Sequence, residues 1–342
     1  MLLWIAQWPG GLAARAEHSP TVWLPERSAA GDRLLRVQCR PPYTATVYAE
    51  GLSSPDGLAF SPSGELYVAE ETAGRVSRIA SNGLNMPVLS GLSNPEGIAF
   101  DSAGNLYVVE DVAAGRLLRR TPAGVTSTLA SGLDAPEGVV WTSNDELYVT
   151  ESNAEFVSSP VDLRTRVSAV SAAGIVTPIL TNTPTVSGSG PTYTVTFWSY
   201  SGIVEGPSGS LYVANELSGQ SITQTAGSNT FVLTTTDSIF AVDPASGARI
   251  PIAAGLSRVE GLRFSANRSF PLYVAEEDTG SGTGRLSRVE SNGAHAPFCV
   301  GFERIEDVVV GPSGRLYVSE DSSGMIIRIE PVRDLFLPAL RR

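Results

Sequence analysis

Pro95-Glu96-Gly97-Ile98-Ala99-Phe100, a short turn, and Leu106-Tyr107-Val108-Val109-Glu110 make a phrase that the chain repeats. Pro55-Asp56-Gly57-Leu58 leads to Leu66-Tyr67-Val68-Ala69-Glu70, and Pro136-Glu137-Gly138-Val139 to Leu147-Tyr148-Val149-Thr150-Glu151. Val259-Glu260-Gly261-Leu262 leads to Leu272-Tyr273-Val274-Ala275-Glu276. Looser copies are Tyr200-Ser201-Gly202-Ile203 before Leu211-Tyr212-Val213-Ala214-Asn215, and Ile305-Glu306-Asp307-Val308 before Leu316-Tyr317-Val318-Ser319-Glu320. The Leu-Tyr-Val leucines stand at 66, 106, 147, 211, 272 and 316. A period of about 40 residues is propeller-like, and the two long intervals imply an inserted hairpin each.

Within one copy, short β-rich runs alternate with Gly, Pro, Asn and Ser turns, which is the all-β signal. No stretch carries a sustained helical period. Each copy reads as four strands, A to D. Pro87, Pro178, Pro251 and Pro297 fall in strand D of four copies. Proline cannot donate to a ladder, so strand D belongs on the outer edge and strand A lines the axis. The expected architecture is all-β: a six-bladed β-propeller of four-stranded antiparallel blades over residues 43–331. Residues 1–42 form an N-terminal tail and 332–342 a C-terminal tail. Tyr43 to Leu52 copies the end of a unit, while the sixth unit lacks its own strand D. The N-terminal strand is therefore expected to join the last blade and remove the open edge.

Residues 1–16 end in Ala14-Arg15-Ala16, a small-x-small triplet, but lack a basic n-region. They read as a signal-peptide remnant or as a disordered tail; the first puts the protein in an extracellular or periplasmic space, the second leaves a cytoplasmic one. No apolar run approaches the ~18 residues of a membrane-spanning helix. Net charge is −11, all 24 basic residues are arginine, and no basic stripe with aromatics appears, which argues against nucleic acid. The absence of lysine excludes Schiff-base and Walker-lysine chemistry. His18 and His295, the only histidines, are not placed for general-base work. Cys39 and Cys299 are expected apart, as two thiols, unless the segment 33–39 folds back to bring them within disulfide reach.

Carboxylates remain. Asp56, Glu96, Glu137, Ser201, Glu260 and Glu306 open strand A of the six copies and should ring one mouth of the axis. The acids among them are the candidate metal ligands. Carboxylates crowded this way repel unless a cation or arginines offset them, and calcium accepts several loosely arranged oxygens. Alternatively they cap turn N–H groups. Glu70, Glu110, Glu151, Asn215, Glu276 and Glu320 end strand B and are expected to form a second ring on the same face. Arg75, Arg116 and Arg285 could bridge Glu70, Glu110 and Glu276. Copies three and six lack that arginine, so Glu151 and Glu320, with Ser201 and Asn215 where the pattern breaks, are the substrate-binding candidates. Glu205 holds a slot filled by Phe60, Phe100, Trp141 and Phe264, and reads either as a functional departure or as a solvated strand end.

With Pro-Asp/Glu-Gly, Leu-Tyr-Val-x-Glu and Gly-Arg-x-x-Arg, residues 51–331 resemble the NHL-repeat and SMP-30/gluconolactonase-like six-bladed propellers. The resemblance implies one calcium held at the top of the axis by inner-strand acids and amides, in slots that Asp56, Glu137, Ser201 and Glu260 fill here. Two functions are then expected: a monomeric module binding a small-molecule or protein ligand at the acidic face, or a calcium-dependent lactonase or esterase with an inner-ring carboxylate as base.

Overall fold

The computed structural model describes residues 36–155, 162–219, 221–226, 228–235, 237–265, 267–277 and 283–332. The leader reading of residues 1–16 and nearly all of the C-terminal tail lie outside them.

Among the described residues the chain is all-β apart from one 3-10 turn at Pro207–Gly209. Unit one is Pro55–Phe60, Leu66–Glu70, Arg75–Ile79 and Asn85–Ser90, strands A to D in that spatial order. Unit two is Pro95–Phe100, Leu106–Glu110, Ala113–Arg120 and Thr126–Asp134; unit three is Pro136–Trp141, Leu147–Glu155, Asp162–Val170 and Val176–Asn182. Unit four is Tyr200–Glu205, Leu211–Asn215, Ile239–Val242 and Arg249–Ala253; unit five is Val259–Phe264, Leu272–Glu276, Gly284–Val289 and His295–Phe302. Unit six has Ile305–Val310, Leu316–Glu320 and Met325–Pro331, and its fourth strand is Tyr43–Ala49. That strand runs antiparallel to Met325–Pro331, with Ala45 opposite Ile329 and Val47 opposite Ile327.

Strand A of each unit lies against strand A of the next, and that of unit six lies against that of unit one. The repeated phrase explains the fit. In every unit the ladder between A and B breaks after the first residue of A and resumes three residues later, as between Pro95 and Ile98. The break turns the acid and the glycine out of the sheet, as a bulge does. The glycine is obligatory at Gly97: a Cβ there would stand 2.3 Å from the Glu137 carbonyl oxygen of the next unit. In unit six Asp307 takes the glycine slot, and its carboxylate accepts the Leu58 N–H of unit one at 2.9 Å.

The strand-D prolines sit where the C–D ladder shifts register, as Pro87 opposite Ser77, Pro178 opposite Ser168 and Pro251 opposite Phe240. Unit five departs from the expected edge. Gln38–Cys39 adds a fifth strand outside His295–Phe302, with Cys39 opposite Cys299. The two cysteines form a disulfide with Cα atoms 4.0 Å apart. The segment before Tyr43 does fold back, because it pairs with strand D of unit five before crossing to unit six.

The inserts after unit three and inside unit four form one extra sheet. Thr192–Thr196 pairs antiparallel with Thr185–Ser187 and parallel with Asn229–Thr234, which also pairs with Ser221–Ala226. Val195, Phe197, Phe231 and Leu233 give this sheet its own small core.

Candidate metal centre at the axial mouth

The bulge after the first residue of strand A sends Asp56, Glu96, Glu137, Glu260 and Glu306 into one cavity of about 230 Å³. The inner ring expected from sequence therefore converges. The second ring does not. Glu70, Glu110, Glu151, Glu276 and Glu320 are buried beside the cavity rather than in it. Each accepts the backbone N–H of a residue just before strand A, as Glu70 does from Ser53 at 3.0 Å and Glu276 from Ser257 at 2.9 Å. Arg75 grips Glu70 through two nitrogens at 2.7 Å. Arg116 and Arg285 hold Glu110 and Glu276 the same way. These donors pull the Glu70 carboxyl below its ordinary range despite burial, which alone would raise it.

The four substrate-binding candidates are spent in the same kind of work. Glu151 has an arginine after all: Arg166 reaches it at 2.8 Å from further along strand C, and Ser168 donates at 2.7 Å. Glu320 takes the Glu303 N–H and the Ser323 hydroxyl. Asn215 accepts the Ser199 N–H and donates to Thr235 and Asp237. Ser201 lines the cavity, but its hydroxyl donates to the Val259 carbonyl at 2.8 Å and ties unit four to unit five. Glu151, Asn215 and Glu320 serve a neighbouring loop because strand B ends pointing sideways between units.

The residue after each of these supplies acids that the sequence-based expectation does not include. Glu71, Asp111 and Glu216 line the cavity. Glu277 and Asp321 follow Glu276 and Glu320 in the same position, and Ser152 is the exception in unit three. Successive strand residues face opposite ways, so a one-residue offset moves a carboxylate from clamp to mouth. The doubled acids Glu70-Glu71, Glu110-Asp111, Glu276-Glu277 and Glu320-Asp321 are the signal for them in the chain.

Charge around the mouth is uneven. Arg258 and Arg304 stand just before strand A in units five and six, so the arginines of the chain are not confined to strand C. Arg258 pairs with Glu277, and Arg304 with Glu277, with Asp321 at 2.9 Å and with Glu306 at 3.4 Å. Across the mouth, Glu137, Glu216 and Glu260 bring carboxylate oxygens within 4.8 Å of one another. Among the described residues, neither the Glu137 nor the Glu260 carboxylate receives a hydrogen bond, while that of Glu216 takes the Ser199 hydroxyl at 2.7 Å. Burial, then mutual repulsion, holds Glu137 and Glu260 well above the usual carboxylate range. Asp56 and Glu96 are raised in the same way. Glu96 shares a hydrogen bond with Asp111.

No family model matches the chain, and no curated protein matches it. Solved structures do. A gluconolactonase from Xanthomonas campestris superposes with a TM-score of 0.61 at 14% identity, over 83% of this chain and 88% of its own. The fold is that of the SMP-30/gluconolactonase-like β-propellers. A calcium structure of a carbohydrate-active enzyme of family AA12 from Trichoderma reesei matches this propeller with a TM-score of 0.59 at 14% identity, over 86% and 97%. Virginiamycin B lyase from Staphylococcus aureus, in a catalytically inactive form with quinupristin, matches it with 0.53 at 14%, over 84% and 99%. At these identities the likeness is one of fold. No helix among the described residues is long and apolar enough to cross a membrane.

Glu205, the acid at an aromatic slot, lies at the far end of strand A from the mouth. It is buried, not solvated: it accepts the Ser143 N–H at 2.8 Å and the Ser143 hydroxyl, and pairs with Arg268 at 3.0 Å. Arg268 and Ser143 belong to the A–B turns of units five and three, so Glu205 staples three consecutive units.

Proposed function

We propose that the chain is a six-bladed propeller, closed by Tyr43–Ala49, that hydrolyses a lactone or ester with a divalent cation at the axial mouth. The closed six-fold count rests on the neighbour relations of the six A strands. Deleting residues 1–50 should lower the melting temperature sharply and deleting 1–30 should not; equal melting of both would remove the closure.

The observation that carries the hydrolase is the Glu137, Glu216 and Glu260 trio, three oxygen donors within 4.8 Å of one another and, among the described residues, none of them in an arginine ion pair. Its donor chemistry fits a hard cation such as calcium, which takes several carboxylate oxygens and tolerates loose geometry. When bound, the cation supplies Lewis-acid polarisation of a carbonyl. The chain's own groups do the rest. Glu96, beside the trio and hydrogen-bonded to Asp111, is the inner-ring carboxylate placed to take a proton from water. Arg304 offsets charge at Glu306, and Arg258 offsets part of the charge at Glu216 and Glu260. Asp56 and Glu306, candidate ligands by sequence, sit nearer that arginine side and serve the field of the mouth rather than the trio. Ligand binding without turnover is the second reading; it rests on the acidic cavity itself, since Ser201, Asn215, Glu151 and Glu320, the substrate-binding candidates, are all committed to structure. An extracellular or periplasmic setting, where calcium is plentiful, suits either reading.

Scanning calorimetry with calcium and with chelator tests the centre. A cation that binds only the folded state stabilises it by mass action, so calcium should raise the melting temperature and Glu137→Gln with Glu260→Gln should abolish the rise. A lactone and ester panel then separates the two readings. A curve indifferent to calcium removes the centre; a calcium response without turnover leaves the binding module.

A further inference from the structure

The junction between units two and three differs from its counterparts at the end of the strands remote from the acids. At four of the six junctions a strand-B tyrosine meets the strand-A aromatic of the next unit. Tyr67 meets Phe100 edge-on at 68°, Tyr317 meets Phe60 at 68°, and Tyr212 meets Phe264 at 90°. Tyr107 and Trp141 instead lie stacked, 16° from parallel with centroids 5.4 Å apart. Tyr107 is buried beneath this contact, so the ring that the junction offers outward is the half-buried Trp141 indole. It lines a groove of about 380 Å³ whose walls include Leu129, Ile175 and Thr177 of the two outer edges.

Two polar departures coincide with this indole. The strand-C arginine opposite the Leu-Tyr-Val tyrosine pairs with an acid in three other units: Arg78 with Glu65, Arg288 with Glu290 and Arg328 with Glu330. Arg119 is the equivalent residue opposite Tyr107. It lines the groove and has no ion pair among the described residues; its Nε is buried without a hydrogen bond. The nearby Asp101 is already taken by Asn105 and by the Tyr107 hydroxyl. The second departure is Asp145. It holds φ 59° in a turn where units one, two, four and six use Gly64, Gly104, Gly209 and Gly314. Asp tolerates this left-handed conformation, so the position gives the turn a carboxylate where its counterparts have none. The Asp145 carboxylate accepts the Trp141 indole N–H at 3.3 Å and, like Glu146, lies exposed at the groove.

We propose that this groove binds a neutral sugar ring, separately from the axial centre. The C–H face of a pyranose matches the Trp141 indole, which Tyr107 backs from beneath. Its hydroxyls can donate to Asp145 and Glu146 and accept from Arg119. An anion would meet two exposed carboxylates, and a simple cation would meet the unpaired guanidinium. A ligand rich in both donors and acceptors, without net charge, satisfies all three.

The test follows the Trp141 indole N–H resonance in the full-length protein, in chelator, on titration with methyl β-D-glucopyranoside, methyl β-D-galactopyranoside and cellobiose. At least one should shift it saturably in the millimolar range. Arg119→Met should weaken that binding about tenfold, the loss of a charge-assisted hydrogen bond, and should leave the melting temperature unchanged because no ion pair is lost. Glu137→Gln should leave the titration unchanged, which keeps the result independent of the mouth. No saturable shift with any of the three sugars, an equal shift in Arg119→Met, or a saturable shift with phenylalanine or glycine in place of the sugars would each overturn the proposal.

Discussion

Glu276 and Glu277 are neighbours in sequence and opposites in role. Glu276 is fully buried, gripped by Arg285 at 2.7 and 2.6 Å, by the Ser287 hydroxyl and by the Ser257 N–H. Glu277 turns to the mouth side, where Arg258 and Arg304 meet it from two successive units. The same division holds at Glu70 and Glu71 and at Glu110 and Asp111. The first acid of each pair is a fastening whose charge is matched inside its own unit. The second contributes to a field that no single unit balances. Identical chemistry one residue apart thus gives a pair closed within one unit in one case and a charge shared between units in the other.

The comparison breaks most visibly at the fastening. Glu276→Ala leaves the Arg285 guanidinium, the Ser287 hydroxyl and the Ser257 N–H without their acceptor. Removing one partner of a buried, hydrogen-bonded pair costs about 3–5 kcal/mol, and chemical denaturation should show a loss of that size. Glu277→Ala should cost far less, because its arginines are half-exposed and Arg304 keeps Glu306 and Asp321. Equal losses for the two variants would erase the division.

Much of this division is legible in the amino-acid sequence. Pro-Glu-Gly and Leu-Tyr-Val-x-Glu carry the repeat, because the glycine marks where one unit's backbone passes within reach of the next and Leu-Tyr-Val marks the buried strand B. The arginines at 75, 116 and 285 are readable as partners of Glu70, Glu110 and Glu276, since a strand C that starts with arginine sits opposite the end of strand B. The pairing of Tyr43–Ala49 with Met325–Pro331 follows from an orphan strand at one end and a missing one at the other. Phase is harder to read. A strand end fixes which residue faces the mouth only once the turn after it is known, so the repeat pattern puts the second ring one residue early. Arg166 does not stand out because unit three extends its B–C hairpin, which moves the partner of Glu151 further along the strand. The Cys39–Cys299 bridge depends on a two-residue strand with no pattern of its own.

The finer consequence concerns pH. Burial, ahead of the charges around it, pushes Glu306 from its ordinary 4.5 up to about 8, and Asp56 and Glu96 are raised well above their ordinary range for the same reasons. A carboxyl whose folded pKa lies above its unfolded one binds more protons when folded, so stability falls as pH rises between the two values. For Glu306 that interval runs from about 4.5 to about 8. Arg304 lies beside Glu306 and lowers it, while Glu277, Asp321 and Glu71 raise it, and burial outweighs the arginine. Glu70 acts in reverse. Glu70 is pulled below 4.5, so its contribution is complete above that value and is lost as pH falls through the lowered one. Without metal, the melting temperature should therefore peak near pH 5, drop on the acid side as Glu70 protonates, and decline by a few degrees towards pH 8 as the mouth ionises. Glu306→Gln should flatten the alkaline decline and leave the acid limb in place. A melting temperature that climbs steadily from pH 5 to pH 8 in chelator would mean that the mouth carboxylates ionise without cost, and the contrast between neighbouring acids would then lose its energetic basis.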